Sequence, residues 1–428
     1  MKKRVVSLML VGVIALSLAA CGNNGGSTQG GSDSGVKITI LNSKTEIQTQ
    51  FEEMAEKYSE EKGVEVEVYN ADTDTTVASQ VATQYASGNP YTITMVDAKD
   101  IYSLADEYAY DLSNEDWASH TTLGITVNGK LAGFPVCVEA RGLIYNADAI
   151  EAITGEEFKP ENYTTLKDFT ALLDELVAGG MESPVGILSE YWSLGAHYFA
   201  EVYEQQTDPD AFVNGLLAGT EDLDSNDKFN QLMDTFDTLK KYNYAKDSAA
   251  NADREESSMK LAEGEIAFMF GGNWDWSVIN QYDYTENMGI MPVPEDTTDG
   301  TNTTLVGGGS KYFFVDSSDS TSDDQRKAAL DFLNWLVSDE EGNTFLTESC
   351  ALVPAFDNID AASLDPLSSS VKSYSDSGLI ANYNFLPDDH MTVVGQEIMQ
   401  KYLDDVIDRA ELASQVEEYF KGATAIPH

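Results

Sequence analysis

The sequence predicts an α/β protein built on a mainly parallel sheet, and three observations carry this. Strand-like and helix-like periods alternate from Val36 onward. Long stretches further on keep the three-and-four apolar spacing of amphipathic helices. About 390 residues remain after an N-terminal export signal and linker, enough for two domains and a large core.

Met1-Lys2-Lys3-Arg4 is basic, Val5–Ala20 is apolar, and small residues precede Cys21. This is the layout of an export signal over residues 1–20. The apolar run is too short for the about 20 residues that a membrane span needs. Leu18-Ala19-Ala20-Cys21 resembles the lipobox of bacterial lipoproteins, which implies cleavage before Cys21 and lipidation there. Gly22–Gly35 holds only small and polar residues and reads as a flexible linker with ends about 20 Å apart.

Lys37–Leu41 reads as a strand, and Ile47, Phe51, Met54 and Tyr58 mark one face of a helix stopped by Gly63. Val64–Tyr69 alternates strictly, as a half-buried strand does. A helix over Thr76–Ala86 and a strand over Thr92–Val96 complete a β-α-β-α-β start, the signature of a parallel sheet. Thr126–Leu131 reads as a hairpin turning on Asn128-Gly129. Extended pieces follow at Gly133–Val138 and Gly142–Tyr145, then helices at Thr165–Ala178 and Phe229–Tyr242. Strands are expected at Glu265–Phe270, Met288–Pro292 and Lys311–Val315, and helices at Gln325–Val337, Val393–Ile407 and Glu411–Phe420.

The formal charge is −48, and loss of Lys2, Lys3 and Arg4 with the signal makes it −51. Such a surface repels nucleic acid and anionic lipid. With Cys21 lipidated, Cys137 and Cys350 remain, either as two buried free thiols or as one disulfide.

Catalytic and metal motifs fail on inspection. Gly124–Leu131 approaches a phosphate-binding loop, but leucine stands where Ser or Thr would hold magnesium. Asp222, Asp224 and Asn226 open like a calcium loop, yet its sixth position is Asp227 and its twelfth Met233. The four histidines and three cysteines show no zinc spacing, and no G-x-S-x-G elbow occurs. No cofactor or metal is expected, and the chain is not read as an enzyme.

Two stretches point to a ligand. In Leu261–Ile279 a strand runs into Gly271-Gly272, Asn273 is placed to cap a helix starting near Trp274, and Asp275 separates Trp274 from Trp276. A strand-to-helix turn of this kind lies where α/β proteins form ligand crevices, so Trp274 is expected at the crevice and Trp276 in the core. In Gly133–Asn146, Glu139 and Arg141 interrupt an apolar double strand. Burying them demands partners, either each other along one strand face or a ligand.

These stretches resemble the extracellular solute-binding proteins of carbohydrate ABC importers. Pro135, Glu139 and Leu143–Asn146 carry one motif; Gly264, Glu265, Ala267 and Gly272–Ser277 carry a second. Leu305–Gly309, Ala328–Leu336 and Ser338–Gly342 follow in the order of that family. The resemblance implies a two-lobed periplasmic-binding-protein-like α/β fold, with a hinge between the lobes and a ligand cleft between them. Residues 36–140 and 309–360 would form one lobe, and 141–308 and 361–428 the other. It implies sugar hydroxyls bound by Glu139 and Asp275, stacking on Trp274, and further contacts at Tyr191 and Trp192. Asn42, Glu46 and Asp97 would face the cleft after the first and third strands. Gly309, Tyr383 and Phe385 would lie close by, and Arg141 would reach an acidic ligand. Val96 or Asp97 occupies the position of a stacking Trp in maltodextrin binders, which argues against that ligand.

The expected protein is a monomeric receptor, tied to the outer face of the bacterial membrane only through Cys21, that hands a mono- or oligosaccharide to an ABC permease. A non-sugar solute (polyamine, peptide or organic anion) is the alternative ligand. A secreted glycan-degrading enzyme and a partner of a membrane sensor are the alternative classes.

Overall fold

The structure is a computed structural model that describes residues 35–72, 75–360, 364–383 and 385–425. The expected signal, Cys21 and the linker up to Ser34 lie outside these residues.

The strands are β1 (Lys37–Asn42), β2 (Glu65–Asn70), β3 (Ile93–Asp97), β4 (Ile125–Val127), β5 (Lys130–Pro135) and β6 (Val138–Asn146), then β7 (Val185–Gly186), β8 (Phe268–Gly272), β9 (Met288–Met291), β10 (Leu305–Gly309), β11 (Lys311–Val315) and β12 (Ile380–Asn382). They form two six-stranded sheets. The first runs β2-β1-β3-β11-β5-β4. The second runs β12-β10-β6-β8-β7, with β9 also on β6.

The β-α-β-α-β opening builds three strands of the first sheet as the pattern predicts, but the sheets are not mainly parallel: β11, β5 and β4 join antiparallel, and β6 is antiparallel to β8, β9 and β10. β1 pairs in parallel with β2 and with β3. The helix between β1 and β2 spans Gln48–Lys62 and ends on Gly63 at φ 68°, a left-handed value that glycine adopts without steric cost. Thr76 caps the next helix, Val77–Ala86, by accepting the Ser79 N–H. Asn128 and Gly129 both take positive φ, which makes the β4–β5 turn a hairpin turn. In the second half, Phe229, Leu232, Met233, Phe236 and Leu239 of helix Asp227–Tyr242 are buried to within 1%. Their spacing is the apolar stripe read in the sequence.

Three elements depart from expectation. The break in the Gly133–Tyr145 stretch falls at Val136–Cys137, and β6 runs straight through Glu139 and Arg141. The strand expected from Glu265 starts at Phe268. The helix expected over Val393–Ile407 is π-type over Met391–Met399, then α to Leu403; Asp405 at φ 57° ends that run.

The chain passes between the sheets at neighbouring points. Val136–Cys137 joins β5 to β6, Ser310 joins β10 to β11, and the chain passes Val353, beside Val138, before the helix Pro366–Asp376 packs on β9 and β6. These crossings are laced together: Val136 N–H donates to Lys311 O at 2.8 Å and Val138 N–H to Val353 O at 2.9 Å. Cys137 and Cys350 are both buried here or nearby as free thiols. Burial pushes the Cys137 thiol up to about 12.

Ala351, two residues before Val353, sits at φ 51°. A Cβ in the left-handed region costs about 1–2 kcal/mol. Ala351→Gly is therefore expected to stabilise the protein by about 0.5–1 kcal/mol, net of glycine's larger chain entropy. Thermal unfolding of the two proteins checks this, and an unchanged or lower Tm counts against it.

Candidate binding site

The carboxyl ends of β1 and β3 meet the start of β6 and the end of β8, the kind of place where open α/β sheets bind ligands. On the first sheet, β1 ends at Asn42. Its buried side chain takes the Lys44 N–H at 2.9 Å and donates to Lys44 O and Gln48 Oε1 at 3.0 Å each. That turn folds Lys44 inward until its side chain is only 4% exposed.

The Lys44 ammonium lies 2.5 Å from Glu139 Oε1 on β6 and 2.7 Å from Glu46 Oε1. Burial alone would lower the lysine, but Glu139 and Glu46 outweigh it and hold it well above its usual range. Desolvation likewise works against an ionised Glu46, yet Lys44 pulls it down to about 2. Among the described residues no hydrogen bond reaches Glu139 Oε2. At the end of β3, Asp97 pairs with Lys311 of β11 at 2.5 Å.

β6 brings Arg141 in beside Glu139, but they do not pair with each other. The buried guanidinium of Arg141 binds Glu204 and lies 3.6 Å from Glu201. The Tyr383 ring covers it at 5.2 Å, and the Tyr383 hydroxyl donates to Glu139 O at 2.9 Å. The partners of Glu139 and Arg141 thus come from 95 and 63 residues away, not from two residues along the strand. Burial pushes Glu201 up to about 8 against the pull of Arg141.

β10 lies against this stretch, with Gly308 opposite Glu139 and Gly309 opposite Val138. A Cβ on Gly307 would strike Ala140 and the Glu139 carbonyl, so the close approach of the strands requires glycine there.

β8 ends in Gly271-Gly272 and turns into a 3-10 segment, Asn273–Asp275. Gly272, not Asn273, is the N-cap. The Asn273 side chain instead accepts the Ala140 N–H at 3.0 Å and so ties this turn to β6. Because Gly272 has no side chain, the Trp274 indole lies against its backbone. Trp276 is in the core at 7% exposure. Asp275 is fully buried; its Oδ1 pairs with Arg254 at 2.5 Å, and its Oδ2 takes the Gly272 N–H at 3.0 Å. Both its oxygens serve to fix Trp274 rather than reaching out.

Tyr191 and Trp192 begin a π-type helix over Trp192–Tyr198. Two glycines let it pack on the Met391–Met399 helix: a Cβ on Gly195 would press on Gly395, and one on Gly395 would overlap the Tyr191 carbonyl. Phe385, ahead of that second helix, meets Tyr102 edge-on at 4.9 Å, and Asp388 pairs with Lys99 at 2.7 Å. Tyr102 and Lys99 belong to the helix that follows β3, Ala98–Tyr108.

The structure therefore gathers Glu139, Arg141, Glu46, Asn42, Trp274 and Asp275 at one junction, with Asp97, Gly309, Tyr191, Trp192 and Phe385 on the elements that border it. Sequence reasoning placed Lys44 within the Asn42–Glu46 stretch without giving it a role, and missed Arg254, Glu201 and Glu204. Glu201 did leave a signal, as an acid inside the apolar run Leu194–Tyr203, with Glu204 directly after it.

Buried, paired charges and aromatic rings thus gather where the two sheets meet. A family model for bacterial extracellular solute-binding proteins matches residues 53–375, and the chain belongs to that family. Its fold is the two-lobed one of solved solute-binding proteins. RafE in complex with raffinose superposes with TM-score 0.71 at 18% identity, covering 90% of this chain and 99% of that one. A sugar transporter from Bacillus licheniformis in complex with stachyose gives 0.67 at 18%, covering 90% and 99%. A chitin oligosaccharide binding protein gives 0.69 at 19%, covering 91% and 98%. A search of curated protein sequences finds no match.

Proposed function

We propose that this chain captures a sugar or short oligosaccharide between two lobes and presents it to the permease of an ABC importer. In this reading residues 36–140 and 309–360 form one lobe and 141–308 and 361–428 the other, and the crossings at 136–137, 310 and beyond 353 act as the hinge. The carrying observation is the anchored Glu139: Lys44 holds one carboxylate oxygen at 2.5 Å, and the other remains to accept a hydroxyl proton. Trp274 offers the apolar ring face that a pyranose C–H face needs. Among the described residues the buried atoms Ser43 Oγ, Glu190 Oε2 and His197 Nδ1 have no hydrogen-bond partner, and a hydroxyl-rich ligand would satisfy them. The sugars named for similar folds support the same class.

Tyr191, Trp192, Asn42, Glu46, Asp97, Gly309 and Phe385 border the ligand, while Arg141 and Asp275 position the residues that touch it. A sugar touching both lobes favours closure by its differential affinity, and no covalent step is required. Cleavage before Cys21 and lipidation there would tether the receptor outside the cell, with two or more acyl chains for firm anchoring.

Calorimetry against a panel of neutral saccharides tests the reading. One or more should bind, and Trp274→Ala should lose about 2 kcal/mol, roughly 30-fold in Kd. Silence on every saccharide, with heat from a polyamine or peptide instead, would transfer the assignment to the alternative ligand class. Release of reducing ends would make the protein an enzyme.

A further inference from the structure

One imidazole at the junction has no assigned role. In the π-type helix Trp192–Tyr198 the Phe199 N–H reaches back five residues to Leu194 O at 3.0 Å. That wider turn stacks residues five apart on one face. Trp192 and His197 consequently touch, with ring centroids 5.3 Å apart and planes at 70°. On its other side His197 meets the Trp274 indole, with centroids 4.7 Å apart at 48°. The imidazole thus sits between the two tryptophans expected at the sugar.

One of its nitrogens is left without a partner among the described residues. His197 Nδ1 is buried without a hydrogen-bond partner. Buried polar atoms normally find one, and leaving one unmade is costly. Burial, with Arg141, Arg254 and then Lys311 adding repulsion, pushes the imidazole well below its usual range, so it is neutral. Arg141 lies on β6, Arg254 on helix Arg254–Ala262 and Lys311 on β11. The ring contacts place His197 between its own helix and the turn at the end of β8 that carries Trp274. A neutral imidazole carries one N–H donor and one lone pair, the complement of a hydroxyl.

We propose that His197 is a specificity-determining residue that hydrogen-bonds one ring hydroxyl of a neutral saccharide seated at Trp274. The proposal rests on the sugar-binding reading above and adds what selects among sugars. A site built around such a bond rejects the analogue lacking that hydroxyl, because the buried nitrogen is then left unpaired.

The test uses the mature chain, a saccharide found to bind the wild type, and its series of single-position deoxy analogues. His197→Phe keeps an aromatic ring between the tryptophans and removes the polar atoms; His197→Gln keeps a donor and an acceptor. For the wild type, one analogue should bind about 10–100-fold more weakly than the parent sugar. His197→Phe should bind parent and that analogue alike, both about 10–100-fold below wild-type parent affinity, while His197→Gln recovers part of the loss. Ligand-free melting temperatures report whether each variant is folded. Parent affinity unchanged in His197→Phe, or an undiminished preference for the hydroxyl, overturns the proposal and leaves the sugar reading standing. A folded His197→Phe that loses parent and all analogues by the same factor, with discrimination retained, shows a packing role and also overturns it. Wild-type silence on every saccharide overturns both.

Discussion

Lys44→Met is expected to lower the free energy of unfolding by about 3–5 kcal/mol, the usual cost of removing one partner from a buried ion pair. Lys44 is 4% exposed and serves Glu139 and Glu46 at 2.5 and 2.7 Å. Methionine fills nearly the same volume, so the loss measures charge and not a cavity. Glu46 has water within reach, whereas the Glu139 side chain is only 8% exposed and would be left ionised against an apolar neighbour, or forced to take up a proton. Urea unfolding provides the number. The double variant Lys44→Met, Glu139→Leu should regain most of it, because an apolar pair can replace a buried ion pair at little cost. A single-variant loss under about 1 kcal/mol would mean that Glu139 is solvated and that the anchoring argued above is wrong.

Gly395→Val is expected to disturb the site from a distance. No side chain fits at Gly395, since even the first carbon would overlap the Tyr191 carbonyl, and Gly195 presses on the same spot from the facing helix. Backbone cannot yield as a flexible side chain does, so the Trp192–Tyr198 helix must shift. Overpacking of this kind costs about 1–3 kcal/mol. The shift should carry Trp192 and His197 out of register with Trp274 and weaken saccharide binding at least about tenfold, as read by tryptophan fluorescence titration. Wild-type affinity and melting temperature in this variant would show that the two helices separate freely and do not set the position of Trp192.

What could be read from the chain divides along physical lines. Local rules gave the first three strands and the β4–β5 hairpin: apolar alternation, Gly63 at a helix end, Thr76 at a helix start, and the Asn128-Gly129 turn all act within a few residues, whereas the antiparallel entry of β11 between β3 and β5 is a long-range pairing. Trp276 in the core also follows from local pattern. Glu139 and Arg141 announced themselves as charges inside an apolar run, so their need for partners was legible. The identity of those partners was not, because Lys44 and Glu204 arrive through tertiary structure. Asn273 shows the same limit, its local capping chemistry being displaced by a bond to Ala140 in another strand. The π-type turns escaped because apolar spacing at three and four does not distinguish them from α-helix, and their glycine-to-glycine packing leaves no periodic trace.

The pairs Lys99–Asp388 and Tyr102–Phe385 join the helix after β3 to the segment leading into the Met391–Met399 helix. In the proposed lobe assignment they bridge the mouth of the cleft. The ion pair is exposed on its acidic side and is worth no more than about 1 kcal/mol; the ring pair adds a similar amount. In that reading such a latch would give the empty receptor a modest closing bias of its own, at most about thirtyfold. The ionic half of that bias fades as salt rises. In the proposed function the ambient electrolyte would thus tune how many unloaded receptors stand shut, and with it the contrast between loaded and unloaded states.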